Sequence, residues 1–116
     1  MLAIAFAVAG QAHLLGDVAS LERTMAWVAD APVSLVRFIG GCEVLGAIGV
    51  VAPSATRILP HLAPTAALGL GAIALLATLV HVGRCEWSAL PITLGLAALA
   101  LLVVWGRSRA APIAPR

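Results

Sequence analysis

The sequence predicts an all-α fold, a transmembrane four-helix bundle, and three observations support that prediction. Of the 116 residues, 62% are hydrophobic and 10% are charged, whereas a soluble globular domain carries about 25% charged residues. Charged side chains are absent from four stretches of the chain, residues 1–12, 44–56, 62–80 and 87–106. Prolines and polar turns separate the apolar segments that contain these stretches, and a bilayer-spanning helix needs about 20 mostly apolar residues.

The composition also excludes several classes of protein. Seven arginines and five acidic residues cannot cover the surface of a water-soluble monomer, and the length leaves no room for a catalytic domain beside a membrane anchor. The net charge of +2 is spread along the chain and forms no basic stripe, which excludes a nucleic-acid partner. Cys42 and Cys85 fit neither a disulfide scaffold nor a zinc motif, and no ligand spacing predicts a metal site.

The first two predicted helices cover residues 1–16 and 35–51. At ~1.5 Å per residue the first spans about 24 Å, less than the ~30 Å hydrocarbon core, so we expect it to thin the bilayer locally or to begin upstream of Met1. Before the second helix, Ser34 is a candidate cap. The helix is expected to end before Pro53.

The third and fourth predicted helices cover residues 64–82 and 89–106. Pro64 is favourable in a first turn because its missing N–H would be unpaired there anyway. Trp105, at the end of the fourth helix, is a candidate interface anchor. The four helices form one domain over residues 1–106, and residues 107–116 are expected to be a short basic cytoplasmic tail.

A polar segment, residues 17–34, separates the first two predicted helices. Its apolar residues Leu21, Met25 and Val28 follow the spacing i, i+4, i+7, which favours a short amphipathic helix at the membrane interface.

The arginines predict the orientation of the protein in the cell membrane. Four spans place both termini on one face. That face holds four arginines and the other two or three, so the positive-inside rule predicts that both termini are cytoplasmic. The arginines of the terminal face are Arg57, Arg107, Arg109 and Arg116, and those of the opposite face are Arg23, Arg84 and, at the start of the second helix, Arg37.

Glu43 is the most informative residue because it lies in the middle of the second predicted helix. A charge at the bilayer centre costs ~2.5–3.5 kcal/mol on insertion scales, so such a side chain faces the bundle interior and pairs or protonates. It is a candidate proton carrier, quinone contact or general acid, and the alternative is a protonated side chain that joins two helices. Cys42, Gly46 and Gly49 form a stripe of small residues that favours close approach of another helix.

Further polar residues are expected together at the outer mouth of the bundle, above Glu43. His81 ends the third helix there and, with Glu43, is a candidate catalytic residue. The alternative for this mouth is interfacial anchoring with a salt bridge in the loop. Glu43 and His81 are expected to line one cavity about 10 Å apart in depth, without touching. The candidate binding residues of the mouth are His13, Arg37, Arg84 and Glu86, and Asp17 lies beside them.

Three blocks of the chain carry a family resemblance. The first runs from Phe38 through Gly40 and Glu43 to a leucine-glycine-alanine run that ends at Pro53. The second covers residues 59–70, and the third is the histidine-arginine-glutamate element of residues 81–86. With these blocks in order, the sequence resembles the DoxX-like family of small four-helix membrane proteins. Where members often have lysine-leucine at the end of the first helix, this chain has histidine-leucine, which begins at His13.

The resemblance implies a four-helix membrane bundle with a redox-accessory role, because relatives include quinone-linked subunits of thiosulfate oxidation and a membrane partner in oxidative-stress complexes. Three functions therefore compete. The first is an accessory or quinone-interacting subunit that docks a redox partner protein. The second is a membrane-embedded enzyme for a lipophilic substrate, with Glu43 as acid or base, and the third is a structural protein that forms homo-oligomers. No cofactor is evident from the residues, and quinone is the one that the resemblance implies.

Overall fold

The computed structural model describes residues 1–115, and over that range the chain is helical without strands. The α-helices are α1 (Leu2–Leu15), α2 (Val18–Thr24), α3 (Val33–Thr56), α4 (Leu62–Gly83) and α5 (Leu90–Trp105). Shorter turns flank them, namely 3-10 turns at Ala26–Asp30 and Trp87–Ala89 and a π-helical turn at Gly106–Ala110.

Three helical segments are long and apolar enough to cross a membrane: α3, α4, and α5 together with its flanking turns (Trp87–Ala110). The fourth apolar helix, α1, is shorter, as the sequence predicts. Large apolar side chains point away from the neighbouring helices, and Phe38, Leu45 and Leu79 are each about two-thirds exposed. Such a surface suits acyl chains, since a water-soluble monomer rarely exposes large contiguous apolar patches.

The helices pack in chain order, α1 along α3, α3 along α4 and α4 along α5. Small side chains dominate the buried interior, which is typical of helices that associate in lipid through close van der Waals packing. The main cluster consists of Leu2, Phe6, Ala47, Ala67, Leu70, Ala74, Ala97 and Ala100.

Glycines bring the helices closest together. A Cβ atom on Gly40 would lie 2.6 Å from the backbone N of Leu14, and one on Gly10 would lie 2.8 Å from the Cβ of Glu43. The backbones of α1 and α3 therefore touch at this point. On the other side of α3, Gly46 packs against Leu70 of α4. A Cβ atom on Gly49 would lie 2.8 Å from that of Ala66, so the two glycines of the predicted small-residue stripe face a neighbouring helix.

The helix α3 is longer at both ends than the sequence predicts. It begins directly after Pro32, and Ser34 provides no side-chain cap. It continues through Pro53 to Thr56, and in this last turn the hydroxyl of Ser54 donates to the carbonyl of Val50, 2.8 Å away. Proline removes one intrahelical hydrogen bond, the one to the carbonyl of Gly49, and the helix ends within one turn after it. Arg57 ends the helix in a left-handed conformation, with φ of 61°.

The later helices also differ slightly from the predicted bounds. Pro64 lies in the first turn of α4, which begins two residues earlier, at Leu62. Ser88 is part of the 3-10 turn and gives no side-chain cap to α5. Beyond Trp105 the chain continues as the π-helical turn, so the first residues of the predicted tail extend α5, while Arg116 lies outside the described residues.

The segment between α1 and α3 forms two short helices rather than one. Asp17 caps α2 by accepting a hydrogen bond from the backbone N–H of Ser20, 3.0 Å away. The helix stops at Met25, and the 3-10 turn follows. Leu21 and Val28 are buried in a small cluster with Val36 of α3, so the apolar side of the segment packs on the bundle.

Replacing Gly40 should separate α1 from α3. We expect Gly40→Ala to destabilise the protein by roughly 1–3 kcal/mol, because the added methyl group meets backbone atoms that cannot move aside. The measurement is thermal unfolding in detergent, followed by circular dichroism.

Gly41 is the matched control, since a Cβ atom there meets nothing within 4 Å. Gly41→Ala should leave the protein unchanged or stabilise it by roughly 0.5–1 kcal/mol through helix propensity. Equal melting temperatures for the two variants would contradict the close contact of the backbones.

Candidate functional site

Two polar side chains meet in the apolar interior where α1 crosses α3. The Nδ1 atom of His13 lies 2.7 Å from Oε2 of Glu43. Both residues are nearly enclosed, with 7% of His13 and 5% of Glu43 exposed. An ionisable side chain at membrane depth is costly unless it faces a partner, and this contact supplies one. The touching glycines Gly10 and Gly40 lie directly beside the pair and set its distance.

Hydrogen-bond chemistry limits the protonation states of this pair. Nε2 of His13 lies 3.2 Å from Sδ of Met25, and a thioether sulfur can only accept. Nε2 therefore carries a hydrogen atom, and one more proton lies between Nδ1 and Glu43. That proton is either on Glu43, beside a neutral imidazole, or on His13, in an imidazolium–carboxylate pair. Both forms have zero net charge, so the proton can shift without leaving a charge in the apolar interior.

Aromatic and backbone contacts hold His13 in place. Its ring meets the edge of Trp27, with 5.6 Å between the ring centroids. Arg37 donates hydrogen bonds to the carbonyls of His13 and Gly16, both with a donor–acceptor distance of 2.8 Å. These carbonyls belong to the C-terminal end of α1, where backbone acceptors lack intrahelical partners and a positive charge is favourable. In this structure Arg37 therefore fixes the end of α1 against α3.

A second group of polar residues lies at the end of α4, just after it, and at the end of the 3-10 turn Ala26–Asp30. We call this group the rim cluster, and its members are Asp30, His81, Arg84 and Glu86. Arg84 donates from Nε to Oε1 of Glu86 over 2.7 Å and from its guanidinium to Asp30. Nδ1 of His81 lies 2.6 Å from Oε2 of Glu86. Cys85, with φ of 57°, turns the chain so that the backbone N–H of Glu86 reaches the carbonyl of His81.

The rim cluster shifts the proton equilibria of its own members. The hydrogen bond from Arg84, with that from His81, lowers the pKa of Glu86 below its ordinary value. The hydrogen bonds to Glu86 and Asp30 raise the pKa of Arg84 further above its own. At neutral pH Glu86 is therefore a carboxylate that accepts hydrogen bonds from both sides.

Both histidine–glutamate pairs line one cavity of about 580 Å³. Its wall is mostly apolar, with Phe6 from α1, Ile73 from α4 and Leu96 from α5. Met25 and Trp27 cover it from the segment between α1 and α3. The sequence predicts that Glu43 and His81 line one cavity without touching, and the structure places both residues in its wall with no contact between them.

Several side-chain groups of the lining residues remain available to a ligand in this cavity, among them the indole N–H of Trp27 and the hydroxyl of Ser88. Oε1 of Glu43 and Nε2 of His81 have no hydrogen-bond partner in the described part of the chain. Neither atom is sealed from solvent-sized molecules, because no fully buried side-chain nitrogen or oxygen among residues 1–115 lacks a partner. The mostly apolar wall thus includes a few polar groups, among them one carboxyl oxygen and one imidazole nitrogen that accept hydrogen bonds.

The predicted mouth is divided in the structure. His13 leaves it to join Glu43, Arg37 binds the end of α1, and Asp17 caps α2. His81, Arg84 and Glu86 do come together, and they recruit a residue that sequence reasoning missed, Asp30. Met25 and Trp27 were also missed as neighbours of His13. Nothing in the local sequence signals these contacts, since they join segments that are far apart in the chain.

The remaining candidate residues can be placed briefly. Both cysteines are free thiols, Cys42 half-buried and Cys85 exposed. Within residues 1–115 no group of three or more histidine, cysteine, aspartate or glutamate side chains is arranged to hold a metal ion.

The lowered pKa of Glu86 predicts a pH dependence of stability. A carboxylate whose pKa falls on folding stabilises the folded state above its ordinary pKa of 4.5, and that contribution is lost as pH falls through the folded-state value. The apparent melting temperature in detergent should therefore drop as the pH is lowered from neutral to about 3.

Glu86→Gln identifies the carboxylate responsible. The variant should melt slightly below the unmodified protein at neutral pH and lose less stability on acidification. Glu22→Gln, a change at an exposed acid outside the cluster, should follow the unmodified protein. Parallel curves for the Glu86 variant and the unmodified protein would contradict this role.

Comparison with curated proteins and with solved structures returns no match. A family profile does match, and it is that of the DoxX-like family, over residues 1–103. The matched range contains α1 to α4, most of α5, the buried pair and the rim cluster. The resemblance of the three sequence blocks is thereby confirmed: the chain belongs to the DoxX-like family of small membrane proteins.

Proposed function

We propose that this protein is an accessory, quinone-interacting subunit of a membrane redox system. In this proposal α1, α3, α4 and α5 form a four-helix transmembrane bundle in the cell membrane, with both termini cytoplasmic. The packing of α1 along α3 supports the bundle. The apolar outer side of α1, where Ile4 and Val8 are more than 60% exposed, supports contact with lipid.

The observation that carries the proposal is a proton-holding pair in the wall of an apolar cavity. Ligand sites in proteins have volumes of about 300–1,000 Å³, mostly apolar walls and a few convergent polar groups. A cavity of about 580 Å³ with Glu43 and His81 in its wall fits that description. The ligand that matches is flat and lipophilic and carries polar oxygens, which describes a benzoquinone ring with part of its hydrocarbon tail.

The buried pair has the chemistry that quinone reduction requires. Reduction of a quinone to the hydroquinone takes up two electrons and two protons. Glu43 can release the proton that it shares with His13 to one reduced quinone oxygen: the new O–H bond forms as the pair loses one proton, and the pair regains a proton from water through the outer mouth. The second quinone oxygen takes its proton from water at the same mouth. In this proposal the electrons come from a redox partner protein.

A second candidate function, a membrane-embedded enzyme with Glu43 as acid or base, is favoured by the free Oε1 atom of that residue. The two functions differ in the result of Glu43→Gln, which keeps a hydrogen bond to His13 but cannot give up a proton. An enzyme would lose turnover on its own, whereas an accessory subunit would keep ligand binding and lose activity only with its partner. A structural protein that forms homo-oligomers would not respond to this change.

Removing both members of the pair should weaken quinone binding without unfolding the protein. Replacing both partners of a buried hydrogen bond by apolar groups of similar shape is nearly neutral for stability, so the double variant His13→Leu with Glu43→Leu should fold. We expect its affinity for a decyl-substituted benzoquinone to fall about tenfold or more, the effect of one lost hydrogen bond to an ionisable group. Quenching of Trp27 fluorescence in lipid nanodiscs measures it, since Trp27 lines the cavity.

Three controls accompany this measurement. Trp27→Phe shows how much of the quenching comes from ligand bound in the cavity, since the variant should lose that saturable part. The remaining quenching comes from Trp87 and Trp105, which are exposed and can be reached by ligand dissolved in the lipid. Glu43→Leu alone should be destabilised, since it leaves His13 buried without its partner. Glu22→Gln should bind like the unmodified protein. Saturable binding with equal affinity in the double variant would refute the proposed site.

A further inference from the structure

The rim cluster determines which nitrogen of His81 carries a hydrogen atom. Nε of Arg84 donates to Oε1 of Glu86, which leaves Oε2 to face His81. A carboxylate can only accept hydrogen bonds, and Glu86 is a carboxylate at neutral pH. Nδ1 of His81 is therefore the donor over the 2.6 Å contact.

The second nitrogen of a neutral His81 is then a hydrogen-bond acceptor. When Nδ1 carries the hydrogen atom, Nε2 has a free lone pair. Nε2 has no partner in the described part of the chain and is not sealed off, and His81 lines the cavity. The cavity therefore presents a hydrogen-bond acceptor at its outer end.

We infer that the outer end of this cavity binds a hydroxyl group, so that the site holds a lipophilic phenol or hydroquinone in preference to the corresponding ketone or ether. A phenolic hydroxyl donates to Nε2 of His81, whereas a carbonyl or ether oxygen has no hydrogen atom to donate. The inference rests on the proposed quinone site and specifies the form that it retains, the reduced one. Arg84 and Glu86 act here as positioning residues through His81.

The same geometry suggests how to reverse the preference. In Glu86→Gln, the amide oxygen should remain opposite Arg84, which can only donate, and the amide NH₂ group should then face His81. An NH₂ group donates to Nδ1, so the hydrogen atom of the neutral ring moves to Nε2. The outer end of the cavity becomes a donor, and the advantage of a hydroxyl ligand disappears.

The test compares para-decylphenol with its methyl ether, which differ only in the hydroxyl hydrogen and one methyl group. Binding is measured by quenching or displacement at Trp27 in nanodiscs near neutral pH, with a decyl-substituted benzoquinone as the third ligand. The unmodified protein should bind the phenol about tenfold more tightly than the ether, the effect of one hydrogen bond. Glu86→Gln should bind the two alike and should gain affinity for the benzoquinone.

A matched variant and a spectroscopic readout separate this role from general damage to the rim. Asp30→Asn removes one partner of Arg84 but leaves Glu86 facing His81, so the preference for the phenol should persist. Imidazole nitrogen chemical shifts should place the hydrogen of His81 on Nδ1 in the unmodified protein and on Nε2 in Glu86→Gln.

Two results would count against the inference, and they are distinguishable. Quinone binding without a preference for the phenol, or a preference that survives in Glu86→Gln, would overturn the assignment of His81 and leave the proposed site in place. Failure of all three ligands to bind saturably would overturn the proposed function together with this inference.

Discussion

A buried carboxyl group in an apolar helix bundle requires a partner, and much of this structure follows from that requirement. Glu43 lies within α3 and is 5% exposed. Lipid offers it neither hydrogen bonds nor a high dielectric constant, so the partner must come from another helix. His13 of α1 is that partner, and α1 approaches closely enough because Gly10 and Gly40 let the two backbones touch. The packing of α1 on α3 and the chemistry of the site thus depend on the same few residues.

The polar residues of the chain serve two different environments. His13 and Glu43 are enclosed and hold one shared proton with no net charge, which suits an interior that tolerates charge poorly. The rim cluster lies at helix ends, where Arg84 keeps its charge and holds Glu86 ionised. The two histidine–glutamate pairs look alike in composition, yet their protons are distributed differently because only Glu86 accepts a hydrogen bond from an arginine side chain.

This contrast matters for the ligand that we propose. The inner pair can deliver or accept a proton, while the outer histidine is held in one orientation by a carboxylate that does not change its own protonation near neutral pH. A ring bound between them would meet a proton store on one side and an acceptor on the other. The segment from Val18 to Asp30 covers the same cavity with Met25 and Trp27, and its contact with Arg84 joins that cover to the rim.

By itself the sequence determined that the helices of this protein are suited to a lipid environment, where those helices lie in the chain, and that Glu43 is important. Long apolar segments and scarce charges predict spans to within a few residues, since composition and helix length act locally. Prediction failed at Pro53, where it expected α3 to end, because a proline disfavours the interior of a helix without always ending it. It also placed His13 at the mouth with Arg37 and His81, above Glu43, because a sequence specifies neither the rotation of a helix nor how far it is shifted along its neighbour.

Only the tertiary structure decided which residues become partners. Whether Glu43 would meet a histidine, an arginine or a backbone carbonyl depends on how α1 crosses α3, and a contact between residues thirty positions apart leaves no periodicity in the sequence. The recruitment of Asp30 by Arg84 has the same cause. Position along a single helix can be derived from the order of residues, but the pairing of side chains requires the shifts, angles and distances between helices.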